Sequence, residues 1–122
     1  MGDCVSHQIV VVDDEHDILT VVAEVLRFDG YAPITFANSQ GALEYLLTNR
    51  PELIITDLLM PGVSGQELVA QVRKRYGNVP PIIVMSASVN FTTAAMLPVQ
   101  AFVGKPFDLD DISSAVQRCL EP

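Results

Sequence analysis

Cysteine is scarce. The chain has two, Cys4 and Cys119, near opposite ends. They form no C-x-x-C pair and have no ligand-like spacing to His7 or His16, which speaks against a zinc site and a disulfide framework. Long apolar runs are missing too, and none approaches the ~20 residues of a membrane span. Basic residues are few, seven against fifteen acidic, so the formal charge is −8. A reader of phosphate backbones needs a basic face, so direct nucleic-acid binding is not expected, and an anionic membrane surface is disfavoured. Neither G-x-x-x-x-G-K-[ST] nor G-x-G-x-x-G occurs, which argues against a nucleotide-binding α/β domain. Between Tyr76 and Gly104 there is not one charged residue. The start shows no signal-peptide pattern, and its formal fit to a myristoylation pattern (Met1-Gly2-Asp3-Cys4-Val5-Ser6) is short enough to arise by chance. These absences predict a soluble cytoplasmic protein with reduced thiols and no membrane partner.

What is present predicts one α/β domain covering residues 1–122. Hydrophobic residues make up 49% and charged residues 18%, as in a well-packed globular domain. Apolar runs at His7 to Val12, Tyr31 to Phe36, Leu53 to Asp57, Pro81 to Ser86 and Ala101 to Gly104 read as five strands. Pro33 places the second at a sheet edge. Between them lie helical spacings. Ile18, Leu19, Val22 and Leu26 form one apolar face, stopped by Gly30. Ala42, Leu43, Leu46 and Leu47 face inward on a second helix, capped by Asn38 or Ser39 and ended by Asn49-Arg50-Pro51. Ser64 and Glu67 form a capping box that opens a third, closed by the cations Arg73-Lys74-Arg75 and Gly77. A short fourth helix is expected within 87–100. Asp108 with Asp111 opens a fifth, on which Cys119 is a core residue beside Ile112, Ala115, Val116 and Leu120. Strands alternating with helices predict a parallel sheet, doubly wound, with helices on both faces.

The chemistry gathers where the strands end. The first ends in Asp13-Asp14, the third in Asp57, the fourth in Ser86 and the fifth runs to Lys105. In an open parallel sheet all these ends share one edge, the edge where ligands bind. Three carboxylates converging there repel one another and raise one another's pKa. A divalent cation such as Mg²⁺ removes that cost, since it prefers carboxylate oxygens and often completes its shell with a phosphate. Lysine adds a mobile positive charge and serine a donor. These are the parts of phosphoryl transfer, with Asp57 as nucleophile.

The pieces VVVDDE, TDLLMPGVSG, IIVMSAS and FVGKPF resemble those of a response-regulator receiver domain of two-component signalling, and the resemblance runs from about His7 to Leu120. It implies the flavodoxin-like strand order 2-1-3-4-5. It implies a phosphoacceptor at Asp57, phosphorylated from a phosphohistidine on a sensor histidine kinase or a histidine phosphotransfer domain. Asp13 and Asp14, Asp14 more directly, would hold Mg²⁺ with Asp57 and the backbone carbonyl of Leu59. Ser86 and Lys105 would contact the phosphoryl group, Phe102 would be the switch aromatic, and Lys105–Pro106 a cis bond. Such a domain phosphorylates itself and slowly dephosphorylates, and is not a turnover enzyme. The sequence departs from the family pattern in a shorter interval from Ser86 to Lys105 and in Pro98-Val99, where Gly-Ala is common. Leu59 and Ser88 occupy positions that tune phosphoryl lifetime in the family. The uncharged stretch, with Val89, Phe91, Met96 and Leu97, suggests an apolar face through residues 89–102 for a second copy or a target. A haloacid-dehalogenase-like phosphohydrolase also uses a strand-end aspartate, but Leu59 stands where that family has its second acid. A degenerate receiver that only binds partners is disfavoured by the intact acids, serine and lysine.

Overall fold

The computed structural model describes residues 7–58, 64–86 and 98–120. Among these, five strands and four helices follow in the order β1 (Gln8–Val12), α1 (His16–Phe28), β2 (Ala32–Phe36), α2 (Ser39–Leu46), β3 (Leu53–Asp57), α3 (Gly65–Tyr76), β4 (Ile82–Ser86), β5 (Ala101–Gly104) and α4 (Leu109–Leu120). Every pairing is parallel and the sheet order is β2-β1-β3-β4-β5. This is the doubly wound, flavodoxin-like order. The helix expected within 87–100 falls largely on residues 87–97, which lie outside the described residues, as do Cys4, Leu59, Ser88, Phe91 and Met96.

The inner strands are covered on both sides, which is why they read as continuous apolar runs instead of alternating ones. All five residues of β3 and of β4 are buried. Successive side chains point to opposite faces. Ile9, Val11, Leu53, Ile55, Ile83 and Met85 pack with Leu19, Val22 and Leu26 of α1 and with Ile112, Ala115 and Val116 of α4. Val10, Val12, Ile54, Ile82 and Val84 pack with Ala42 and Leu46 of α2 and Leu68, Val69 and Val72 of α3. Each fully buried aliphatic side chain stabilises the fold by about 1.5–3 kcal/mol relative to exposure. β2 is one of the two edge strands, where the missing N–H of Pro33 costs least.

The helix ends follow local chemistry. Asn38, and not Ser39, caps α2: its side-chain oxygen accepts from the Gly41 N–H at 2.8 Å, while Ser39 is buried. Ser64 Oγ accepts from the Glu67 N–H at 3.2 Å, one half of the expected capping box. The Glu67 carboxylate instead accepts from Gln71 Nε2. At α4, the Asp108 N–H donates to Asp111 Oδ2 at 3.0 Å. Gly30 and Gly77, at φ +93° and +80°, end α1 and α3 in the left-handed region that glycine favours. Two expectations need correction. α2 stops at Leu46, short of Asn49-Arg50, so Leu47 lies past its last turn and is 54% exposed instead of facing inward. Cys119 is only half-buried, at the margin of the α1/α4 core, where burial pushes its thiol up.

The two arginines of the basic run at the end of α3 are used on carbonyls. Arg73 Nε donates to Pro98 O at 2.9 Å, Nη1 to Pro80 O at 2.8 Å, and Nη2 to Gln100 Oε1 at 3.0 Å. The Gln100 oxygen also accepts from the Ile82 N–H, at 2.8 Å. The guanidinium thereby ties the entrance of β5 to α3 and β4, and burial pulls its pKa below the ordinary arginine value. Among the described residues no helix is long and apolar enough to cross a membrane.

Candidate functional site

The sheet brings the predicted side chains to one edge. β1 runs into Asp13, whose N–H donates to Phe36 O on β2 at 3.1 Å and whose side chain is fully buried. β3 ends at Asp57, opposite Met85 in the parallel ladder and 6% exposed. β4 ends at Ser86, also buried, paired with Gly104 at the end of β5. The Lys105 N–H donates to Ser86 O at 2.8 Å, which prolongs the ladder by one bond and fixes where the lysine leaves the sheet. The Lys105–Pro106 peptide bond is cis, as the resemblance implied, and Val79–Pro80 is cis as well.

Lys105 is the electrostatic centre. Its Nζ lies 2.6 Å from Asp13 Oδ2, 3.2 Å from Asp57 Oδ2 and 3.6 Å from Glu15 Oε1. Asp13 Oδ1 accepts from the Glu15 N–H at 2.9 Å, so both of its oxygens are engaged. Burial raises the Asp13 pKa above the usual carboxylate value. The hydrogen bonds from Lys105 and from the Glu15 N–H oppose that rise, and the Asp57 charge adds to it. For Lys105, burial pulls the pKa down, but Asp13 and Asp57 outweigh it and the net direction is up. The ammonium is thus held charged between two acids whose mutual repulsion it offsets.

Asp13, Asp14 and Asp57 each bring a carboxylate oxygen within 4.8 Å of the other two. Asp13 and Asp57 are buried and fixed, while Asp14 is exposed on the solvent side. Such an all-oxygen set, open to water on one flank, fits a magnesium ion. Leu59 lies outside the described residues, so the fourth expected donor has no described position. Phe102 pairs with Val84 and is half-buried against the α2/α3 core, one strand from Ser86. Of the predicted residues, the sheet edge therefore collects Asp13, Asp14, Asp57, Ser86 and Lys105, with Phe102 two residues before the end of β5.

Two participants escaped the sequence reading. Glu15 entered the sequence reading only as the last residue of VVVDDE, yet its amide orients Asp13 and its carboxylate faces Lys105. Gly65, the first residue of α3, lies against the backbone that carries Asp57. A β-carbon there would fall 2.0 Å from Asp57 O. The sequence offered only the glycine itself, between a cap and a helix, as a signal.

Residues 9–117 match the response regulator receiver domain family. The chain belongs to that family. The receiver's general function is that of a phosphoacceptor in two-component signalling, and receivers bind Mg²⁺ in an acidic pocket. The nitrogen assimilation regulatory protein NtrX of Azorhizobium caulinodans is 33% identical over 95% of this chain, which spans 26% of that protein. NtrC of Escherichia coli, a DNA-binding transcriptional regulator, is 32% identical over 90% of this chain and is spanned to 24%. The receiver thus spans about a quarter of the length of these relatives. Sporulation initiation phosphotransferase F of Bacillus subtilis is 30% identical, with 94% of both chains covered. The chemotaxis protein CheY4 of Vibrio cholerae has a similar structure, with a TM-score of 0.87 at 26% identity over 94% of this chain and 99% of that one. TrrA of Thermotoga maritima, solved in complex with Mg(2+)-BeF, reaches 0.85 at 30% identity over 93% and 99%.

Proposed function

We propose that Asp57 is the phosphoacceptor of this receiver, and that Asp13, Asp14 and Asp57 hold the Mg²⁺ that the transfer requires. The observation that carries the reading is the three-carboxylate cluster with Lys105 wedged between Asp13 and Asp57. The donor is a phosphohistidine on a sensor histidine kinase or a histidine phosphotransfer domain. An Asp57 carboxylate oxygen bonds to phosphorus as the phosphorus–nitrogen bond breaks. The imidazole leaves with the electron pair, and Asp57 becomes an acyl phosphate. On this reading Lys105 neutralises phosphoryl oxygens and the Ser86 hydroxyl donates to one. Bound Mg²⁺ supplies charge neutralisation and alignment of the oxygens. The Leu59 carbonyl enters as a further ligand on sequence alone.

The domain, residues 1–122, is on this reading a self-phosphorylating signal acceptor and not a turnover enzyme. It acts in the cytoplasm and does not itself contact nucleic acid. Its formal charge of −8 supports the last point. With acetyl phosphate and Mg²⁺ the chain should take up one acid-stable, base-labile phosphoryl group and stop. Chelating the metal with EDTA should reduce uptake to background, and excess Mg²⁺ should restore it. Continuous turnover of a generic phosphate ester, or labelling that is indifferent to EDTA, overturns the assignment.

The switch rests on Ser86 and Phe102. Phosphorylation adds about −1.5 to −2 charges and strong acceptors beside Ser86 and Lys105. The serine hydroxyl moves towards them, and Phe102, already half-buried and without a polar tip, turns further inward. Residues 89–102, of which 98–102 are described, are the face we assign to a second copy or a target. Ser86→Ala should still accept phosphate but respond less to beryllofluoride. Identical beryllofluoride-induced NMR shifts around 98–104 in the variant and the wild type remove Ser86 from the switch. Sedimentation velocity and target pull-downs unaffected by beryllofluoride remove the association face.

A further inference from the structure

The short second helix leaves an opening that the signalling reading does not use. α2 ends at Leu46 while α3 continues to Tyr76, and between them lies a groove of about 520 Å³. Its apolar walls are Leu43 from α2, Leu47 just past the end of α2, and Val72 and Tyr76 from α3. One end is closed by hydrogen bonds from Arg75 to Leu47 O and from Tyr76 Oη to Leu46 O. Leu47, 54% exposed, is a large apolar side chain left at the opening.

Charge decides what such a groove suits. The chain carries −8, yet three of its seven cations sit in the last turn of α3. The fold accounts for two of them. Arg73 bonds to carbonyls ahead of β4 and β5, and Arg75 lies over the Tyr76 ring, 5.6 Å from its centroid, and bonds to Leu47 O just past α2. Lys74 lines the groove, is exposed, and has no salt bridge among the described residues. Glu44 is the one acid in the lining, so Lys74 and Arg75 leave the groove positive on a strongly negative molecule. An apolar cleft of a few hundred Å³ with a small number of charged groups is the usual form of a small-molecule site.

We propose that this groove binds an amphiphilic carboxylate, a free medium-chain acid whose apolar body lies between Leu43, Leu47 and Val72 and whose head meets Lys74. The site lies on the C-terminal halves of α2 and α3, at the far end of α3 from Gly65 and Asp57, and is independent of the phosphoacceptor assignment.

The test is a titration of the chain with decanoate, below its micellar range, followed by ¹H–¹⁵N correlation spectra. Saturable shifts should concentrate at residues 40–47 and 71–76. Decanol, which lacks the charge, should bind more weakly. Lys74→Glu, a surface reversal, should weaken decanoate by about tenfold. Leu47→Asp, at an exposed position, should bring binding to the detection limit without unfolding the chain. Asp57→Asn should bind decanoate as the wild type does. Shifts that scatter or never saturate, equal affinity for decanol, or wild-type binding by both groove variants overturns the proposal. Binding of an acidic amphipathic peptide at these residues with no binding of decanoate also overturns it, and assigns the groove to a protein partner.

Discussion

Asp57→Asn should reduce phosphoryl uptake from acetyl phosphate to background, with the fold intact. An amide nitrogen shares its lone pair with the carbonyl and carries no charge, so it does not attack phosphorus at neutral pH, whereas a carboxylate does. Asparagine has nearly the same shape, and Asp57 sits in a spot that is 6% exposed between β4 and Lys105, so shape must be kept for the comparison to be fair. The substitution also removes one of the three acids around Lys105, at 3.2 Å, and one of the three carboxylates of the cluster. A loss of labelling alone therefore has two explanations, a missing nucleophile or a weakened charge site. Asp14→Asn separates them. Asp14 belongs to the same cluster but is exposed and has no salt bridge to Lys105 among the described residues. Its variant should label slowly and still reach one phosphate per chain at high Mg²⁺. The measurement is intact-mass spectrometry over time. Full-stoichiometry labelling of Asp57→Asn removes Asp57 as the acceptor, and a zero end point for both variants shows only that the cluster is needed.

Most of this site was legible because strand ends are easy to find. VVVDDE and LIITD are apolar runs that stop at an acid, and FVGK is one that stops two steps from a lysine. Once a parallel sheet is inferred, topology places those stops together without any knowledge of side-chain packing. The same logic set β2 at the edge through Pro33. Readings that depended on where a helix ends fared worse. Leu47 continues the apolar spacing of α2 in the sequence, but the helix stops at Leu46. Periodicity registers a residue's phase and does not register the end of the helix that gives the phase meaning. Contacts made by backbone were the least visible. Glu15 holds Asp13 through its amide, a group every non-proline residue has, so nothing in the residue type announced it. The cations of α3 were read only as the close of a helix, whereas Arg73 reaches across to residues 98 and 100, a partnership set by tertiary structure alone.

Gly65→Ala is where the sequence and the structure predict opposite signs. Gly65 is the first residue of α3, and no positive φ is recorded for it. By helix propensity alone, alanine should stabilise α3, since glycine in a helix costs about 0.5–1 kcal/mol relative to alanine. The packing says otherwise. An alanine β-carbon would lie 2.0 Å from Asp57 O, 2.6 Å from Leu58 Cα and 2.8 Å from Asp57 C. All three are backbone atoms, so no side chain can swing aside. Either α3 retreats or the end of β3 does. The first breaks the Gly65 N–H to Leu58 O bond of 2.9 Å and disturbs the Ser64 cap, and the second pulls Leu58 from its bond to Met85 O and moves Asp57 with it. Overpacking against fixed atoms costs about 3 kcal/mol, several times the propensity gain, so the net effect is destabilising. Urea unfolding should show a lower midpoint, and the fraction that remains folded should accept phosphate slowly because Asp57 is displaced. Gly41→Ala in α2 is the control, since its β-carbon would meet Asn38 Oδ1 and Phe36 Cδ1 at 3.4 Å, ordinary contact distance. That variant should match or exceed the wild type in stability. If Gly65→Ala is as stable as Gly41→Ala and labels at the wild-type rate, then α3 does not press on the Asp57 backbone and the site owes its geometry to the sheet alone.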